Sequence, residues 1–135
     1  VIAVDASAIC AILFQEDGAE MSARALVEAA SRRISAANWL EAAIVVEARK
    51  GPAGAIEFDS FVESASIEIV PVTDEVARAA RAAWRRYGKG RHPASLSFGD
   101  CFAYGLAKVE GLPLLTISAD FSSTDISLAA PARGD

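Results

Sequence analysis

The sequence predicts an α/β fold: a three-layer sandwich with a central, mainly parallel sheet of four to five strands flanked by helices. Three observations predict it. Short, β-branched apolar runs alternate with longer helical stretches, the pattern of successive strand–helix–strand units. Glycine, proline and small polar residues fall between those runs, where turns and helix caps are needed. Much of the 53% apolar content is alanine, the best helix former. At 135 residues the chain fits one domain, 1–135, and can bury a core without disulfides or structural metal.

The elements follow in order. Val1-Ile2-Ala3-Val4 is too short for a helix and reads as a buried strand. Ser7 is placed to cap a helix running to Gln15. Gly18 breaks that helix, and residues 19–30 read as a second one. Residues 32–35 form a short strand. Asn38 is placed to cap a helix over 39–50, which stops at Gly51-Pro52, and another helix covers 55–64. Ile67-Glu68-Ile69-Val70 alternates and is closed by Pro71, the signature of a third strand. Thr73 caps the next helix, with Glu75 in its first turn, and this helix ends at Tyr87 before Gly88. Residues 88–97 are a loop. A helix starting at Phe98 or Asp100 runs to Glu110, ended by Gly111 and Pro113. Residues 114–117 form the fourth strand, 126–129 an edge strand, and 131–135 a loose tail.

Charge and composition exclude several classes. A net charge of −5 argues against a protein that coats nucleic acid indiscriminately, although local charge matters more to a nuclease than the sum. No stretch approaches the roughly 20 apolar residues of a membrane span. The opening has no basic leader and Asp5 interrupts its apolar run, so it does not read as a signal peptide. Cys10 and Cys101 sit among apolar residues and read as buried, reduced thiols of a cytoplasmic protein. Two cysteines and one histidine make no zinc site.

Four acids stand where separate segments should converge. Asp5 ends the first strand, Asp120 follows the fourth, and Glu41 and Asp100 lie near the starts of helices that can border the same crevice. In open parallel sheets, ligand sites form beyond the carboxyl ends of the strands. Carboxylates gathered there repel one another unless a cation joins them, and hard ions such as Mg2+ or Mn2+ prefer oxygen ligands. Each acid alone has an ordinary explanation: a cap for Asp5, a dipole partner for Asp100, a solvated helix residue for Glu41, a turn residue for Asp120. Glu47 shares a helix with Glu41 but is rotated away from its face.

The acids and their local words resemble the PIN-domain family, in particular VapC-type ribonuclease toxins of bacterial toxin–antitoxin pairs. The matching words are Val4-Asp5-Ala6-Ser7-Ala8, Leu40-Glu41-Ala42, Gly90-Arg91-His92-Pro93-Ala94, Phe98-Gly99-Asp100-Cys101-Phe102-Ala103-Tyr104, and Asp120-Phe121 with Thr124-Asp125-Ile126. The resemblance spans nearly the whole chain. It implies a Mg2+- or Mn2+-dependent endoribonuclease acting on RNA, a homodimer, held inactive in a hetero-oligomer with a cognate antitoxin. Asp5, Glu41, Asp100 and Asp120 match the family's acidic quartet. Asp5 and Asp100 are then expected as direct metal ligands, and Asp120 as a ligand, direct or through water. Glu41 is an outer ligand or the group that orients or deprotonates the attacking water. One departure stands out: Ser118-Ala119 replaces the Gly followed by Asn or Asp of many relatives, which removes a polar side chain near the site. Ser97 stands where Asn is frequent.

Supporting roles follow. Ser7 and Ser118 can line the site as well as cap, and Asp125 can bond a metal-bound water or act locally. From Arg78 to His92 the chain carries six cations and no acid, of 13 Lys and Arg in all. Arg78, Arg81 and Arg85 form a helix stripe, read as solvated, while Val76, Ala80 and Trp84 read as core. Lys89, Arg91 and His92 lead towards Asp100 and read as substrate contacts. Trp39 and Tyr104 read as packing. Helices 19–30 and 39–50 could present a groove to an antitoxin segment. A receiver domain lacks its phosphorylatable Asp and late Lys here. A haloacid-dehalogenase-like phosphatase lacks the second Asp of Asp-x-Asp. A non-enzymatic PIN-like binding module is the remaining competitor.

Overall fold

The computed structural model describes residues 1–130, so the expected loose tail at 131–135 lies outside the described residues. Strands β1 (Ile2–Val4), β2 (Arg32–Ser35), β3 (Ile67–Val70) and β4 (Leu114–Leu115) form one parallel sheet in the order β3-β2-β1-β4. Ala3 pairs with both Arg33 and Leu114, which fixes β1 as a central strand. The chain winds outwards through β2 and β3, then returns to the other side of β1 for β4. The order of strands therefore reverses between β1 and β4, and their carboxyl ends open a crevice there.

Helices α1 (Ala6–Phe14), α2 (Ala19–Glu28), α3 (Ala36–Ser64), α4 (Asp74–Tyr87) and α5 (Phe98–Glu110) flank the sheet. Alternation along the strands sorts side chains into two cores. Ile2, Val4, Ile34 and Leu115 pack with α1, α2 and α3. Ala3, Val70 and Leu114 pack with α4 and α5. The three-layer sandwich is as expected. Ile9, Ile34, Leu114 and Leu115 are fully buried, each stabilising the fold by about 1.5–3 kcal/mol.

Local signals account for most boundaries. Thr73 caps α4 by accepting the Val76 N–H at 3.1 Å. Gly51 adopts φ 69°, ψ −161° inside α3, so α3 is two helical segments meeting at the expected Gly51-Pro52 break. Five features differ from expectation. Asp5, not Ser7, caps α1, and Ser35, not Asn38, caps α3. α2 ends at Glu28. The fourth strand stops at Leu115, and the expected edge strand at 126–129 contributes one isolated bridge, Leu114 to Leu128. Among the described residues no helix is long and apolar enough to cross a membrane.

Candidate active site at the carboxyl edge of the sheet

Asp5 leaves β1 at the crevice and turns into α1. Its Oδ1 accepts the Ala8 N–H at 3.1 Å and the Ser7 hydroxyl at 2.7 Å. Ser7 Oγ accepts the Ile117 N–H at 3.1 Å and lies 3.2 Å from Thr116 Oγ1. Thr116, buried just past β4, also bonds the Asp5 carboxyl. Asp5 is thus stitched across the β1–β4 switch point.

Asp100 sits in the first turn of α5, in a capping box. Its Oδ2 accepts the Ser97 N–H at 2.9 Å, while its own N–H donates to Ser97 Oγ at 3.2 Å. Glu41 projects from α3, where Asn38 Nδ2 donates to its Oε1 at 3.2 Å and to the Gly99 carbonyl at 3.0 Å. That buried amide ties α3 to the start of α5. Gly99 leaves room for the Glu41 carboxylate, because a Cβ there would lie 2.5 and 2.7 Å from its two oxygens. Asp120 opens a 3₁₀ turn, Ala119–Ser123, whose cap is Ser118 Oγ, accepting the Asp120 N–H at 3.2 Å.

Asp5, Ser7, Cys10, Asn38, Glu41, Gly99 and Asp100 line one cleft of about 210 Å³. Asp120 stands beside that cleft rather than on its lining, close enough for its charge to act on Asp100. Burial pushes the Asp5 carboxyl up to about 6; hydrogen bonds from Thr116, Ser7 and the Ala8 N–H oppose the rise, and the Asp100 charge adds to it. Asp100 is also raised, by burial first and then by Asp120 and Glu41, against the Ser97 hydrogen bonds. Burial and the neighbouring Glu41, Glu16 and Asp5 hold the Cys10 thiol up at about 11, so it stays protonated at neutral pH. Cys101 is buried and Cys10 half-buried, and both are free.

The chemistry of the donors fits a hard divalent ion. The cleft offers carboxylate oxygens, and among the described residues none of the four acids forms an ion pair with Lys or Arg. Asn38 Oδ1 is buried with no hydrogen-bond partner. Among the described residues no three acidic, His or Cys side chains are drawn into a ready-made cage. An ion such as Mg2+, which binds through one or two carboxylates and keeps several waters, does not need such a cage.

The other expected residues Asp125, Lys89, Arg91 and His92 lie off the cleft lining. Asp125 accepts from Tyr104 Oη at 2.7 Å and Lys108 Nζ at 2.8 Å, which ties the chain after the 3₁₀ turn to α5. Lys89 is exposed. Arg91 lies over the Trp84 ring, 4.6 Å from its centroid, and donates to the Arg85 carbonyl at 3.2 Å. His92 accepts the Ala94 N–H on Nδ1 at 2.9 Å and meets Tyr87 edge-on. None of Lys89, Arg91 and His92 lines the acidic cleft. Trp84 is 46% exposed, correcting its assignment to the core, whereas Val76 and Ala80 are buried as expected. Glu47 lines a different, largely apolar surface with Trp39 and Ile44.

Sequence reasoning missed three residues. Asn38 has a signal, an amide three residues before Glu41 on one helix face. Gly99 has another, a glycine tolerated in a first helical turn. Thr116 is a polar residue where a buried parallel strand should be apolar.

An α/β sandwich with an acidic cleft at its switch point defines a class of protein suited to hard-cation chemistry. Within that class, the family model described as PIN domain matches residues 2–126, and the chain belongs to the PIN domain family. It is 47% identical over 127 residues to Ribonuclease VapC30 of Mycobacterium tuberculosis, covering 94% of this chain and 97% of that one. The fold is similar to the crystal structure of Mycobacterium tuberculosis VapC20, described as a Sarcin-Ricin loop cleaving toxin. The TM-score is 0.78 at 18% identity, over 97% of this chain and all of that one. It is also similar to VapBC2 from Rickettsia felis bound to a DNA fragment from their promoter, with a TM-score of 0.70 at 18% identity over 95% and 97% of the two chains.

Proposed function

We propose that this chain is a single-domain endoribonuclease toxin of the VapC type, dependent on Mg2+ or Mn2+ and neutralised by a cognate antitoxin. The observation that carries this reading is the set of carboxylates, Asp5, Glu41 and Asp100 in one cleft with Asp120 beside it, uncompensated by any Lys or Arg ion pair among the described residues. The ribonuclease name of the 47% identical relative supports it.

Asp5 and Asp100 would hold the ion directly, and Asp120 directly or through water. When bound, the ion supplies an activated water and relieves charge on the phosphate. Asn38 holds the Glu41 carboxylate towards the cleft, as an outer ligand or as the group that orients or deprotonates that water. Ser7 and Thr116 fix the Asp5 carboxyl, and Ser118 orients the turn that carries Asp120. Lys89 and Arg91 supply positive charge for the RNA backbone near α5.

An exposed apolar stripe on α3, centred on Leu40 and Ile44, is the assigned face for an antitoxin helix. The same reading carries a homodimer, to be measured by sedimentation.

Single-stranded RNA incubated with Mn2+ should be cut, and both chelator and Asp5→Asn should abolish the cut. Calorimetric Mn2+ titration reads metal holding separately from activity. Cleavage that persists in chelator overturns the reading. A second reading, a catalytically weakened binding module, is favoured by Ser118-Ala119, since Ser118 is engaged in capping. RNA bound but left intact with saturating Mn2+ would select it.

A further inference from the structure

A second, larger groove of about 650 Å³ runs between α4 and α5. Arg81, Trp84, Lys89, Phe98 and Phe102 are among its lining residues, and no acid is. Phe98 is 81% exposed, and its ring stands edge-on to Phe102 at 4.9 Å. Trp84 has a guanidinium over one face and is still half-exposed. Burying a large apolar side chain is worth about 1.5–3 kcal/mol, so two exposed aromatic side chains, Phe98 and Trp84, on one groove mark a surface built for contact.

We propose that the α4–α5 groove is a base-stacking subsite for single-stranded RNA, in which Phe98 and Trp84 receive nucleobases while Arg81 and Lys89 hold the flanking phosphates. The inference rests on the endoribonuclease reading and extends it to where the strand runs beyond the cleft. Ser97 and Phe98 line the groove, and the next two residues, Gly99 and Asp100, line the acidic cleft. A strand crossing the first turn of α5 therefore passes from one to the other. Aromatic faces interleaved with cations are the chemistry that holds single strands without reading sequence. With Arg81 and Lys89 and no acid on its lining, the groove suits a polyanion although the chain carries a net charge of −5.

The test uses a Trp39→Phe background, which leaves Trp84 as the sole tryptophan of the chain's two. Single-stranded RNA added in chelator should quench Trp84 fluorescence. Phe98→Ala should raise Kd by about 5- to 140-fold, the range for one lost stack. An abasic oligomer of equal length should bind with similar weakness. Lys89→Ala should reduce the salt slope by about 0.7. Wild-type protein that cuts RNA, with no quenching and an unchanged Kd for Phe98→Ala, overturns the subsite and leaves the nuclease standing. Phe98→Ala that converts a dimer to a monomer without altering RNA binding also overturns it, in favour of a second copy. Phe98-dependent RNA binding without any metal-dependent cleavage sustains the subsite and refutes the nuclease.

Discussion

Replacing Asp5 by Asn should make the metal-free protein more stable while destroying its activity. Asp5 is 4% exposed, and burial raises its carboxyl from 3.8 to about 6. Between those values the folded state keeps a proton that the unfolded state has released. The unfolded state then binds fewer protons, so stability falls as pH rises from about 4 to 6 and is flat above. At the free-energy equivalent of each pKa unit, the charged form costs the folded protein about 3 kcal/mol at pH 7.5. Asparagine removes the charge and keeps an oxygen that can accept from Ala8 and Ser7, and it caps helices as well as aspartate does. Discounting for relaxation, the gain is about 1–3 kcal/mol, read by urea unfolding in chelator at pH 7.5. At pH 4 the two proteins should converge. Saturating Mn2+ should reverse the order, since an ion at about 1,000 times its Kd stabilises the wild type by about 4.1 kcal/mol. A variant less stable than wild type in chelator at pH 7.5 would refute the electrostatic account of this cleft.

Three further outcomes follow from the geometry. Gly99→Ala drives a methyl group into the Glu41 carboxylate, so cleavage should fall about 10- to 100-fold while the urea midpoint barely moves, because the displaced group is the end of an exposed side chain. Ser7→Ala removes bonds to Asp5 and to the Ile117 N–H; unfolding should show a loss of about 1–2 kcal/mol, and the Asp5 carboxyl, followed by NMR in chelator, should titrate at higher pH. Gly105→Ala sets a Cβ 2.7 Å from the Val76 carbonyl oxygen, where α4 and α5 meet backbone to side chain, and should cost about 1–3 kcal/mol in thermal or urea unfolding.

Features set by near neighbours in the chain were legible in the sequence. Thr73 announces α4, and Gly51-Pro52 announces the break in α3, because capping and backbone restriction act within a few residues. Ser35 was passed over because β2 runs into α3 with no loop, so strand end and helix cap are the same residue. Asn38 has equal capping chemistry, but its amide is claimed by Gly99, 61 residues on, which only the fold brings near. The same holds for Thr116, whose bond to Asp5 coincides with the early end of β4. Trp84 shares a stripe with Val76 and Ala80, yet the drift of a 3.6-residue turn carries it to the groove edge.

The ordinary explanation of each acid proves to be the means of its placement. Asp5 caps α1, Asp100 closes a capping box, Asp120 opens a turn held by Ser118, and Glu41 accepts from a buried amide. Capping fixes a carboxylate against rigid backbone, so the side chain loses little further freedom when it takes a ligand. It also leaves lone pairs over: Asp100 Oδ2 accepts a single backbone N–H, that of Ser97. A helix start tolerates one negative charge because of its dipole. Bringing two such starts and a 3₁₀ turn to one sheet edge concentrates charge without any single residue departing from local rules. The strain appears only in the ensemble, as the raised carboxyls of Asp5 and Asp100. Burial is its largest part, and mutual repulsion adds the rest. A hard cation would offset both by supplying the missing charge, so the feature that destabilises the fold is also the one that would favour the proposed ligand.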